Sequence, residues 1–140
     1  SNARSYLNLL LSWAQTIPYD ELTNRVSSNG SGFSPPLAVL NQNLGDCDSK
    51  SVLTASLIRA FLPNNSMRLV LLRNHALLAI AMTPLTKDTT MMIDGIPFIL
   101  LDPTGPAQMQ LGEVSKSTRQ ALASQQYTLE VIPPAVATQQ

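Results

Sequence analysis

The chain contains a single cysteine, Cys47, and a single histidine, His75. These two residue types can act together in nucleophilic catalysis, because an imidazole can take the proton of a thiol and leave the reactive thiolate. The histidine can then return that proton to a leaving group. A third group, usually a carboxylate, must fix the tautomer and the orientation of the imidazole. The alternative interpretation of Cys47 is an inert buried thiol, since free cysteine is among the most buried residue types.

Two aspartates are candidates for the third role. Asp102 follows the apolar run Ile96–Leu101 and closes a predicted strand, although an aspartate before a proline is also common in turns. Asp94 precedes Gly95, and this dipeptide is typical of a two-residue hairpin turn that faces solvent. The placement therefore favours Asp102 as the partner of His75.

The cysteine is predicted to open a buried helix. Gly45 permits a tight entry, Asp46 is a suitable N-cap, and the apolar spacing over Cys47–Leu62 is helical up to Pro63. The positive end of this helix favours a thiolate, and the backbone N–H of Cys47 would point towards a developing oxyanion. The negative charges of Asp46 and Asp48 oppose the thiolate.

The histidine is predicted to open a strand. Met67–Leu72 and His75–Met82 are apolar runs separated by Arg73-Asn74, a spacing typical of an antiparallel pair. Alternation along the second strand puts His75 on the same face as Leu77, Ala79 and Ala81. Because two of these side chains are small, we expect the cysteine helix to pack on this face.

The remaining pattern predicts an α+β fold in one domain, residues 4–132. Residues 27–36 and 84–90 are predicted loops. The other predicted elements are two helices, Arg4–Ile17 and Glu113–Ser124, and the strands Met91–Ile93, Ile96–Leu101 and Tyr127–Ile132. Pro97 lacks an N–H and is expected at a sheet edge or a bulge.

Composition excludes several functions. Nine basic and nine acidic residues give a formal net charge of zero, without a basic cluster, which argues against nucleic acid as a partner. No apolar run reaches the roughly 18–20 residues of a membrane-spanning helix. One cysteine and one histidine are too few for a structural zinc site, and we expect neither a metal nor a cofactor.

The ends of the chain carry separate expectations. Residues 1–3 resemble a remnant of tag removal, and residues 133–140 are expected to form a flexible tail. A preference for Asn, Gln, Ser and Thr over Lys and Glu favours an extracytoplasmic location, periplasmic or secreted.

Motifs around these residues resemble the bacterial transglutaminase-like superfamily over about residues 5–112. The run Gly45-Asp46-Cys47-Asp48-Ser49-Lys50-Ser51 resembles its Gly-Asp-Cys-acidic-Asp-Lys-Ala motif, with Ser49 and Ser51 as departures. Upstream, residues 13–20 resemble its Gln-x-Ile-Pro-Tyr approach and residues 36–40 its Pro-x-x-x-Leu step into the cysteine motif. Downstream, residues 74–78 resemble its histidine strand and residues 100–104 its aspartate strand.

The resemblance implies a papain-like core, in which the cysteine helix packs on an antiparallel sheet that carries His75 and Asp102. It implies a Cys-His-Asp triad that acts on peptide or amide carbonyls through a thioester, either as a cysteine peptidase or amidase or as a transglutaminase. The substrate would be a protein or peptide. In this fold a side chain upstream of the cysteine commonly assists the oxyanion, and Gln15 and Tyr19 are the candidates. The alternative is a non-catalytic protein- or peptide-binding module with the same fold.

Overall fold

The computed structural model describes residues 2–17, 49–105 and 107–134. They contain three helices and five strands. In chain order these are α1 (Asn2–Thr16), α2 (Ser49–Phe61), β1 (Met67–Leu72), β2 (His75–Ala81), β3 (Thr90–Ile93), β4 (Ile96–Leu101), α3 (Lys116–Ala123) and β5 (Thr128–Ile132).

The strands form one antiparallel sheet in the order β3-β4-β2-β1-β5. β1 and β2 are a hairpin in which Leu72 pairs with His75. A second hairpin joins β3 and β4 through Asp94 and Gly95, whose positive φ values of 54° and 80° are typical of a type I′ turn. The predicted α+β class and both predicted hairpins are confirmed.

A hydrophobic core lies on each face of the central strands of the sheet. On one face α1 and α2 contribute Leu7, Leu11, Val52, Ala55 and Ile58 to a core that also contains Ala76, Leu78 and Ile80 of β2. On the other face Leu77 and Ala79 belong to a second core, against which Leu122 of α3 packs. The prediction that the second helix packs on the face of Leu77, Ala79 and Ala81 is therefore wrong. β2 is apolar on both faces, so its sequence does not distinguish the face that receives the helix.

Local details explain the differences at the element ends. α1 begins at Asn2, two residues before the predicted start. Its buried stripe contains Leu7, Leu11 and Ala14, which leaves Trp13 44% exposed. α3 begins three residues later than predicted because Ser115 is its N-cap and accepts a hydrogen bond from the backbone N–H of Thr118.

The part of β4 that pairs with β2 begins at Phe98, and Pro97 lies just before it. The missing N–H of Pro97 therefore interrupts no hydrogen bond between β4 and β2. None of the described helices is long and apolar enough to cross a membrane.

Candidate active site

The sheet brings His75 and Asp102 together at one end. β2 and β4 are antiparallel with Leu78 opposite Leu101, so the first residue of β2 and the residue after β4 are neighbours. Nε2 of His75 lies 2.7 Å from Oδ2 of Asp102. The Asp102 side chain is 3% exposed and the His75 side chain is 32% exposed, so solvent reaches the imidazole but hardly reaches the carboxylate.

Both carboxylate oxygens of Asp102 take part in hydrogen bonds. Oδ1 accepts hydrogen bonds from the backbone N–H of Thr104 at 3.0 Å and from its hydroxyl at 2.7 Å. Burial opposes ionisation of Asp102, but the hydrogen bonds from His75 and Thr104 outweigh it and hold the pKa of this carboxyl below its usual value. Asp102 is therefore ionised at neutral pH and its side chain can only accept hydrogen bonds.

This charge state determines the tautomer of His75. Since an ionised carboxylate has no proton to donate, Nε2 of His75 must carry the proton that bridges to Asp102. The basic lone pair of the neutral imidazole is then on Nδ1. The neutral imidazole, oriented by Asp102, can therefore accept a further proton only at Nδ1.

The competing carboxylate lies elsewhere. Asp94 is exposed in the β3–β4 turn, at the end of β4 opposite Asp102. It cannot reach His75 from this position, because β4 runs the length of the sheet between them.

Gln15 contacts the aspartate segment from α1. Its Nε2 donates hydrogen bonds to the backbone carbonyls of Asp102 and Met109, both at 2.8 Å, and its Oε1 accepts from the N–H of Met109 at 3.1 Å. Both amide protons of this buried side chain thus bond backbone carbonyls, and these contacts position the aspartate segment against α1. The other oxyanion candidate, Tyr19, lies outside the described residues.

The start of α2 is anchored at the same end of the sheet. Ser51 donates a hydrogen bond to the backbone carbonyl of Ala76 at 3.1 Å, and Lys50 donates one to the carbonyl of Thr104 at 3.0 Å. These two contacts connect the first turn of α2 to the residue after His75 and to the turn after Asp102.

Cys47 lies outside the described residues, as do its neighbours Asp46 and Asp48. It precedes Ser49, the first residue of α2, by two positions in the sequence. The end of α2 that contacts the His75–Asp102 region is thus the end nearest in sequence to the proposed nucleophile.

Three features of this site are not predicted by the sequence motifs. These are the capping of Asp102 by Thr104, the contact from Lys50 to Thr104, and the positioning contacts of Gln15. The Asp-x-Thr spacing is a usable signal for the first, since a side chain commonly bonds the backbone two residues on. The other two contacts join residues 54 and 87 positions apart, and nothing local in the sequence indicates them.

The described residues contain no group of three or more side chains suited to hold a metal ion. No protein-family model, curated protein or solved structure matches the chain.

Proposed function

We propose that this chain is a cysteine-nucleophile hydrolase or acyltransferase with a papain-like core, in which Cys47, His75 and Asp102 act on a peptide or amide carbonyl. The observation that carries the proposal is the 2.7 Å contact between His75 and the buried, doubly anchored carboxylate of Asp102. A solvent-reachable imidazole that is oriented by a buried carboxylate is the arrangement that general-base catalysis requires.

The reaction would proceed in two steps. Nδ1 of His75 takes the thiol proton of Cys47, the thiolate attacks the carbonyl carbon, and a tetrahedral oxyanion forms. The C–N bond then breaks while the imidazolium gives its proton to the leaving amine, which leaves a thioester on Cys47. In the second step Nδ1 takes a proton from the acceptor, the acceptor attacks the thioester, and the C–S bond breaks to regenerate the thiolate.

The acceptor decides the class of reaction. With water the enzyme is a peptidase or amidase, and with an amine it is a transglutaminase. The same residues serve both reactions, because either acceptor must lose a proton to the imidazole.

A chromogenic ester tests the proposal without knowledge of the natural substrate. p-Nitrophenyl acetate should release an initial burst of nitrophenolate equivalent to the enzyme concentration, with acetyl found on Cys47 by mass spectrometry. His75→Ala should lose the burst, whereas the exposed-residue control Asp94→Asn should retain it. Equal acetylation of the wild type and His75→Ala would contradict catalysis and leave the binding-module interpretation.

A further inference from the structure

Lys50 is a buried cation beside the proposed catalytic pair. Lys50 is 3% exposed, and its Nζ donates a hydrogen bond to the backbone carbonyl of Thr104 at 3.0 Å. Burying an ammonium group is unfavourable unless nearby groups compensate its charge. Burial lowers the pKa of Lys50, and the negative charge of Asp102 opposes that shift.

A continuous set of contacts joins Lys50 to the imidazole. Lys50 bonds the carbonyl of Thr104, the hydroxyl of Thr104 bonds Oδ1 of Asp102, and Oδ2 of Asp102 contacts Nε2 of His75. The start of α2 and the end of β4 are therefore held together by the same residues that orient the base.

The charges along this path have a chemical consequence. A buried carboxylate stabilises the protonated form of an adjacent imidazole and so raises its pKa. If that pKa is too high, the imidazolium holds its proton too tightly to donate it to the leaving amine. A cation near the carboxylate limits this rise in the pKa.

We propose that Lys50 is a positioning residue of this site, which offsets the charge of Asp102 so that His75 can both accept and release the proton. The proposal rests on the proposed function for its catalytic meaning. The electrostatic coupling between Lys50 and His75 stands on the contacts alone.

Other charged groups near β2 are less suited to this role. Arg73 is exposed in the β1–β2 turn. Arg68 lies opposite Ala79, four residues along β2 from His75, and Arg59 bonds carbonyls at the far end of α2. Asp46, Cys47 and Asp48 precede α2 outside the described residues.

The single histidine allows the coupling to be measured directly. In the NMR spectrum of the full chain, the imidazole resonances belong to His75 alone, and their titration gives its pKa. Lys50→Gln removes the charge but keeps a hydrogen-bond donor, and Lys50→Arg keeps the charge. Lys116→Gln removes one exposed positive charge on α3 as a matched control.

We expect the pKa of His75 to rise by roughly one unit in Lys50→Gln and to stay within about 0.3 unit of the wild-type value in Lys50→Arg and Lys116→Gln. An unchanged pKa in folded Lys50→Gln would overturn the proposal. If that variant does not fold, a titration of Lys50 in the wild-type protein tests the same coupling. The 13Cε resonance of Lys50 should show an inflection at the pH where His75 titrates, and its absence would overturn the proposal equally.

This result is independent of the reactivity of Cys47. A coupled Lys50 with an unreactive thiol would refute the proposed function alone. A reactive thiol with an uncoupled Lys50 would refute the present inference alone.

Discussion

The side-chain amide of Gln15 donates a hydrogen bond to the backbone carbonyl of Asp102 at 2.8 Å, although 87 positions separate the two residues. The carboxylate of the same aspartate faces His75 on β2. One aspartate is thus held through its main chain by α1 and through its side chain by β2 and Thr104. Changes in α1 should consequently affect the site.

Gln15→Leu should lower the free energy of unfolding by about 2–4 kcal/mol. The substitution leaves two backbone carbonyls and one N–H near Met109 and Asp102 without their partner. Urea unfolding measures the change. Gln110→Leu makes the same replacement at an exposed side chain and should change stability by less than about 0.5 kcal/mol. Equal effects at the two positions would contradict the positioning role of Gln15.

Gly105→Ala should be more destabilising than Gly95→Ala. Both glycines have positive φ, at 61° and 80°, so both variants incur the conformational cost of about 1 kcal/mol. A Cβ at Gly105 would also lie 2.5 Å from the backbone oxygen of Gln15, whereas a Cβ at Gly95 would meet nothing within 4 Å. The extra cost should appear in urea unfolding as at least about 1 kcal/mol. A similar loss in the two variants would mean that the turn after Asp102 is not packed against α1 as described.

Asp102→Asn should reduce the turnover of p-nitrophenyl acetate by about 10²-fold or more. The amide can hydrogen bond to His75, but it cannot favour the same tautomer or stabilise the imidazolium. Asp94→Asn removes the same charge from the exposed hairpin turn and should leave turnover unchanged. A loss in Asp94→Asn that matches the loss in Asp102→Asn would remove the distinction between the two aspartates.

Acid should remove a specific contribution to stability from the contact between Arg4 and Asp88. Burial opposes ionisation of Asp88, but the hydrogen bonds from Arg4 and the Leu85 N–H outweigh it, and its pKa lies below the ordinary 3.8. A carboxyl with a lowered folded-state pKa stabilises the fold fully above its unfolded-state pKa. That stabilisation disappears as pH falls through the folded-state value.

The stability difference between the wild type and Asp88→Asn should therefore be largest near neutral pH and should shrink below about pH 4. Urea unfolding of both proteins at several pH values measures it. A difference that grows on acidification would contradict the assignment of a lowered pKa. Comparing the variant with the wild type cancels the parallel contribution of Asp102, whose pKa is lowered as well.

The sequence predicts those parts of the fold whose causes are local. The hairpin at Asp94-Gly95 follows from the backbone preference of these two residues, and the strand that His75 opens follows from the turn before it. The choice of Asp102 over Asp94 also follows from strand ends.

Contacts between distant segments could not be predicted in this way. The packing face of β2 is ambiguous because both of its faces are apolar, and the hydrogen bonds of Gln15 and Lys50 depend on how α1 and α2 approach the sheet. For the same reason the sequence does not indicate that both amide protons of Gln15 bond backbone carbonyls of the segment 102–109.

The most direct test of the central claim is the pH dependence of Cys47 alkylation by iodoacetamide. If the His75–Asp102 pair activates the thiol, the rate should reach half its maximum well below the free-thiol value of about 8.5, and His75→Ala should move that midpoint up to about 8.5. A wild-type midpoint near 8.5 that His75→Ala leaves unchanged would contradict the account.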